Sequence, residues 1–534
     1  MNQAEVKRRQ AEEVTNILAL ITILIISWIT ENKGITYVAL AVEIYALFWN
    51  CVSGNLSDTL GRLLRNRKNK GQYGSIERMR KNTLLFQTVL GLTGSLLLLF
   101  FSGNIAEGIF GIRYSTLILR VLSPIILLRS ISAVLLGYFQ GEGSELPRAI
   151  SGILRQFLIL GFGLLFSGMT KSYGEKVSGL LMQENFTSMY CGVGIAIAIL
   201  LAEMLILLFL TVLFRGSRRL ERRMGQETRY SMESGFDCIR ALYSSRWPVL
   251  VTGILHVIPL LLGLLFYVKG AEDENAAALE YGLYGGKYLV LCGIAICLIL
   301  ILALPVLARI FQCLRNGENR FAKKVFQSGV HLCLIHGIFL TAFLTVMGGE
   351  LAELLCPENA EILRKMFMGG SALILFTVPA VYFERFLQAI GKKYLVLGAT
   401  GTGVCIFILF ALVFTNVGKA GILSLVYAGM AEAAVRCIIL GLFAYRQLRT
   451  QADWLGILIM PLGAGGVTAL VCILLEKVFS PHLNSMVMIL LAFAAGFLVY
   501  WLLLLLLRNL KEQELEVIPG GRLIEKLQQI LHIF

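Results

Sequence analysis

Fourteen segments of the chain run for close to twenty residues with little charge, and this pattern limits the possible folds most. In lipid every backbone N–H and C=O must be satisfied within the protein, so only helices and closed barrels cross a membrane. Runs near twenty residues match the hydrocarbon thickness at helical rise, whereas barrel strands need about ten. With 57% hydrophobic and 15% charged residues and a mean hydropathy of +0.75, the fold class is an all-α polytopic membrane protein. The spans are expected at 14–30, 35–56, 83–101, 115–139, 150–167, 190–214, 247–267, 282–307, 327–348, 367–388, 394–415, 420–443, 455–475 and 485–507.

One stretch, Leu122–Pro147, organises the rest and occurs twice. An apolar helix begins at the Ser123-Pro124 step, reaches Gly137-Tyr138-Phe139-Gln140, and stops at Gly141-Glu142-Gly143 before Pro147. Glycine supplies the backbone freedom for the stop, and proline favours a fresh helix start. An offset of 248 residues carries Ser123 onto Ser371, Tyr138 onto Phe386, Gln140 onto Gln388 and Gly143 onto Gly391. The same offset relates Gly34 to Gly282 and the segment near Thr83 to that near His331. A single offset over about a hundred residues indicates a duplicated unit, a common plan for secondary transporters. The expected organisation is two six-helix pseudo-symmetric lobes, 1–214 and 247–450, joined by a linker at 215–246. Two extra helices and a tail follow at 451–534, with an amphipathic helix expected over Arg522–Leu531.

Charge orients the spans. With the N-terminus inside, cytoplasmic segments hold 33 of the 48 basic residues; the segment Arg62–Lys81 is expected to be a basic loop. Loops on the other side lean acidic, as at Glu272-Asp273-Glu274. The positive-inside rule then places both termini in the cytoplasm and the protein in the cell membrane. The net charge of +14 is explained by topology and contact with anionic lipids, and nucleic acid is excluded as a partner. No small-residue cleavage site follows the first apolar segment, which is therefore expected to be a span. The eleven cysteines form no CxxC pair and the five histidines lack metal spacing, so no metal site and no cofactor is expected.

Charged groups inside spans are costly and point to function. Arg120, Arg155 and Arg385 lie near span ends, where snorkelling accounts for them. Arg129 lies some fourteen residues into the fourth span, too deep for that. Its partner is expected to be Glu43 on the second span or Glu203 on the sixth, and either acid is a candidate for coupling to H+ or Na+. Glu432 and Arg436, four apart, pair on their own helix. Lys287 either gives a cavity a basic wall or snorkels outward, and His256 is read as a buried, hydrogen-bonded histidine.

Leu122-Ser123-Pro124, Gly137 to Gly141, Pro147 and Arg155-Gln156, with Gly54 and Arg62, resemble the polysaccharide-exporter branch of the multidrug/oligosaccharidyl-lipid/polysaccharide (MOP) superfamily. The resemblance implies two lobes facing a central cavity lined by the first, second, seventh and eighth spans. It implies outward movement of a lipid-linked oligosaccharide or polysaccharide precursor by alternating access. Partners would then be the lipid-linked saccharide, membrane lipids and envelope-polysaccharide glycosyltransferases. Substrate-binding candidates are Arg129, Lys287, Glu43 and His256. Members handling lipid-linked pyrophosphates carry arginine in the first span; here 16–30 contains no basic residue. Two other readings are a cation-coupled multidrug exporter, usually of twelve spans, and a membrane-embedded glycosyltransferase or ligase. An enzyme would group acids and histidines at a membrane face, which this sequence does not do, so no catalytic residue is expected.

Overall fold

The computed structural model describes residues 3–507 except 184, 222–233, 270, 417, 419, 452–454 and 480–482, together with 509. The amphipathic segment expected at Arg522–Leu531 lies outside the described residues. Among the described residues there are no strands, and fourteen helices are long and apolar enough to cross a membrane. The first seven are α1 Glu5–Ile29, α2 Asn32–Asn69, α3 Gly74–Ile109, α4 Ser115–Glu142, α5 Leu146–Leu181, α6 Asn185–Ser217 and α7 Gly235–Val268. The others are α8 Glu274–Arg315, α9 Asn319–Leu355, α10 Ala372–Ala389, α11 Lys393–Thr415, α12 Leu423–Leu448, α13 Leu455–Phe479 and α14 Ser485–Leu506.

Several helices outrun their expected limits, because hydropathy marks the membrane and not the end of helical hydrogen bonding. Helix α5, expected at 150–167, runs for 36 residues. Its start carries Pro147 in the first turn, where a missing N–H costs nothing. It extends beside α6 because glycines let the backbones close: a Cβ on Gly174 would stand 3.0 Å from Thr187 Cα, and one on Gly194 would stand 2.6 Å from Phe166 O. The basic loop expected at 62–81 is mostly helix. After a break at Gly54 and Asn55, where Asn55 is left-handed at φ 54°, α2 resumes as Leu56–Asn69. Leu56, Leu60 and Leu64 are buried on one side of that piece, and Arg67 and Lys68 complement the dipole at its end.

The Gly137–Gly141 motif is what receives this half-helix. A Cβ on Gly137 would lie 3.0 Å from Leu60 Cβ, and one on Gly141 only 2.6 Å from Leu64 Cβ. In return Gly61 leaves room for Gln140, whose Cβ is 2.7 Å from where its own would be. Charges tie the turn further. Gln140 Nε2 donates to Asp58 and Glu145, both at 3.1 Å. Arg65 donates to the Gln140 carbonyl at 2.8 Å, and Lys68 pairs with Glu142 at 2.6 Å.

The duplication extends to backbone geometry. The breaks match: Ser123 N donates to Leu119 O at 3.0 Å, and Ser371 N to Phe367 O at 3.1 Å. The helices that follow, Ile125–Glu142 and Ala372–Ala389, are 18 residues each. The stops match too. Gly143 N donates to Gln140 O and Ser144 N to Phe139 O; Gly391 N donates to Gln388 O and Lys392 N to Leu387 O. Gly143 and Gly391 have φ of 96° and 84°, the left-handed cap that favours glycine. At the polar position the copies diverge, since Gln388 donates to Glu384 on its own helix.

Two compact units are present, Ile21–Gly286 and Met1–Leu20 with Lys287–Phe534. These limits differ from the expected lobes 1–214 and 247–450, for identifiable reasons. In the C-terminal unit Gln10 donates to the Ile301 carbonyl, Val6 packs on Ala308 and Phe311, and Glu13 pairs with Arg385. In the other unit α7 is fastened to α2 by Arg246, described below. Helix α8 passes through a π-turn at Tyr284–Tyr288 in which the division falls.

Candidate functional site

The Ile21–Gly286 unit holds a charge cluster from three helices. Arg129 of α4 donates through Nε to Glu203 Oε1 of α6 at 2.7 Å. Arg155 Nε of α5 lies 2.8 Å from the same oxygen. Glu203 has no exposure, while the Arg129 and Arg155 side chains keep 23% and 17%. From α2, Tyr45 and Trp49, one turn apart, place their rings 5.6 and 5.4 Å from the Arg129 guanidinium. Such faces stabilise a cation by about 0.5–2 kcal/mol each.

Each helix presents its residue for a local reason. The break at Ser123 restarts α4 so that Arg129 falls on the side facing α6, between buried Ile126 and Ser130. Ser130 donates to Ile126 O and accepts from Ser53, fixing α4 against α2. Small residues on α6, including Ala198 and Ala202 beside Glu203, let the neighbouring helices close around the carboxylate. Two guanidiniums and one carboxylate leave one surplus positive charge. The carboxylate holds both arginines in place, and the surplus can be met by an incoming anion. Among the described residues no group of three or more His, Cys, Asp or Glu is arranged to hold a metal ion.

Of the two acids offered to Arg129 by the sequence, the structure selects Glu203. Glu43 lies half-buried on α2, with no hydrogen-bond or ion-pair partner among the described residues. Arg155 does not snorkel; the acid on α6 keeps it in the bundle. Arg385 likewise pairs with Glu13. Glu432 and Arg436 pair as expected, at 3.4 Å. Lys287 neither snorkels nor stands free. It is 3% exposed, and its Nζ donates at 2.8 Å to Leu355 O at the C-terminus of α9, where the helix dipole favours a cation. His256 is exposed on α7, not buried, with Nδ1 2.8 Å from the Thr252 carbonyl of its own helix. Within the Ile21–Gly286 unit the structure therefore brings Arg129 and Glu203 together, and does not bring Glu43 or His256 to them.

Sequence reasoning missed Arg246. Assigned to the linker, it is fully buried in α7, where it donates to Gly54 O at 2.8 Å and Val52 O at 2.9 Å. It satisfies carbonyls that the break in α2 frees inside the bundle; Val52 O also accepts from Gln87 Nε2 at 2.6 Å, so the Gly54 carbonyl is the one that would be orphaned without Arg246. The available signal was the Gly54-Asn55 step, which implied freed carbonyls needing a donor.

No family model matches the chain. Stage V sporulation protein B of Bacillus subtilis (strain 168) is 22% identical over 528 residues, covering 96% of each chain. Among solved structures, a multidrug resistance MATE family transporter of the MOP superfamily, in its inward-facing conformation, is similar with a TM-score of 0.61 at 13% identity. That match covers 84% of this chain and 98% of the transporter. The lipid II flippase MurJ, in an inward closed conformation, also gives 0.61 at 13% identity, over 93% of this chain and 98% of MurJ. The fold is that of MOP-superfamily transporters and flippases, in a multi-pass membrane protein.

Proposed function

We propose that this chain is a MOP-superfamily flippase that carries an anionic lipid-linked saccharide outward across the cell membrane by alternating access. The observation that carries the reading is the surplus positive charge of Arg129, Arg155 and Glu203 within a membrane bundle. A bare phosphate in hydrocarbon is very costly, so a carrier for it needs fixed positive charge at depth. Two guanidiniums around one carboxylate supply it: the phosphate draws on the arginines while Glu203 keeps them aligned. The arginines remain partly exposed and Glu203 does not, which is the distribution a visiting anion requires. The names of similar proteins support the class, since MurJ is called a lipid II flippase. In this reading both termini lie in the cytoplasm, as the distribution of basic residues supports, and glycosyltransferases of the envelope polysaccharide act upstream.

A second reading, a cation-coupled drug exporter, is favoured by Glu43. A half-buried carboxylate without an ion-pair partner among the described residues suits binding of H+ or Na+. The two readings separate in vesicles. Purified protein reconstituted with a fluorescent lipid-linked saccharide should move it between leaflets, and Arg155→Met should slow movement at least about tenfold at equal folded protein. Wild-type movement in Arg155→Met, or no movement by wild-type protein alongside export of cationic dyes, would overturn the first reading in favour of the second.

A further inference from the structure

At the end of the Ile21–Gly286 unit opposite the Gln140 turn, helix ends enclose a cavity of about 400 Å³. This lies in the range of small-molecule sites, about 300–1,000 Å³. Its floor is aromatic. Tyr37 of α2, Tyr114 just before α4 and Phe110 line it; the tyrosine ring centroids lie 5.3 Å apart, and Phe186, outside the cavity, braces Tyr114 edge-on at 5.6 Å. Tyr37 is only 3% exposed, and its phenol oxygen has no hydrogen-bond partner among the described residues.

The rim is charged but balanced. Glu107 and Glu274 supply two carboxylates, Arg113 and Lys269 two cations. Lys269 Nζ donates to the carbonyls of Gly108 and Ile109, pinning the last turn of α3 against the end of α7. Asn185 donates to Asn275 at 2.9 Å, and both amides line the cavity.

These features select a ligand chemistry. A cavity with no net charge attracts neither phosphate nor an organic cation. A polar rim disfavours a lipid chain. Carboxylates and amides accept and donate to hydroxyl groups, and tyrosine faces cover flat C–H surfaces while offering a hydroxyl. Sugars present dense neutral hydroxyls beside such C–H faces. We propose that this cavity is a saccharide-binding site. The proposal deepens the transport reading and rests on it for how a saccharide arrives; the cavity would hold the sugar part of the carried lipid, or a free glycan, on the outer side.

The test uses the full chain in lipid nanodiscs free of sugar detergents. Saturation-transfer NMR is recorded with chitotriose and maltotriose, and with glycerol phosphate as anionic control. Saturable transfer to a trisaccharide and none to glycerol phosphate is expected. Tyr114→Ala and Glu274→Gln should each weaken it about tenfold. Glu274 is exposed at a helix start, so its variant retains the fold even if Tyr114→Ala does not. Displacement of the bound trisaccharide by lipid-linked saccharide assigns the carried head group; a trisaccharide signal that lipid-linked saccharide does not displace assigns a free glycan. No saturable sugar transfer, or transfer unchanged in both variants, overturns the site while leaving transport of lipid untouched. Sugar binding without any lipid movement refutes the transport reading and leaves the site standing.

Discussion

Replacing Glu203 by glutamine keeps its shape and removes its charge, leaving two guanidiniums facing one neutral amide in the bundle. In the native protein the Arg129 contact, at 2.7 Å, is a charge-assisted hydrogen bond, and the Arg155 contact, at 2.8 Å, is an ion pair. Hydrogen bonds to charged groups contribute about 1.5–3 kcal/mol each. Removing one partner of a buried ion cluster typically costs about 3–5 kcal/mol, because uncompensated charge remains. Glu203→Gln should therefore lose about 3–5 kcal/mol. Arg155→Met leaves a balanced Arg129–Glu203 pair and should lose only about 1–3 kcal/mol. The double variant Glu203→Gln/Arg155→Met should be less damaged than the sum of the two, by about 0.5–3 kcal/mol. Thermal unfolding of purified protein in one detergent, read by thiol accessibility of the buried cysteines, gives the order directly. A Glu203→Gln loss no larger than that of Arg155→Met, or strictly additive variants, would refute the idea that one acid restrains two cations.

Three further outcomes follow from the packing and topology. Gly141→Ala should destabilise by about 1–3 kcal/mol, since its Cβ would stand 2.6 Å from Leu64 Cβ, while Gly161→Ala, with open space around it, should stay within about 0.5 kcal/mol; thermal midpoints compare them. Arg246→Met should lose about 1–3 kcal/mol by orphaning the Gly54 carbonyl, since the Val52 carbonyl keeps its hydrogen bond from Gln87, and Arg246→Lys should not restore the stability, because a single ammonium lacks the planar fork. In a cysteine-free background, a cysteine at exposed Asn69 should resist an impermeant thiol reagent in intact cells, whereas one at exposed Asn275 should react; the reverse would invert the orientation.

The sequence alone determined the helical class, the fourteen spans and the duplication. Lipid permits few backbone solutions, and the length of an apolar run states which is used. The helix stop at Gly143 and its counterpart at Gly391 were equally legible, because a left-handed cap is a local property of glycine. Depth along a span identified Arg129 as a group requiring a counter-charge. What sequence could not decide was direction around each helix and across the bundle. Arg155 sits at a depth where snorkelling suffices, and only the packing of α5 on α6 turns it toward Glu203. Lys287 lay near the end of its span, where a basic cavity wall and outward snorkelling were equally open, and only the end of α9 beside it gives its ammonium a carbonyl. Arg246 passed for a loop residue because α7 begins twelve residues earlier than hydropathy suggests, and because the carbonyls it satisfies lie nearly two hundred residues away in the chain. Hydropathy and caps are local and survive in one dimension; the pairing of charges in lipid depends on which helices meet, and only the tertiary structure decides that.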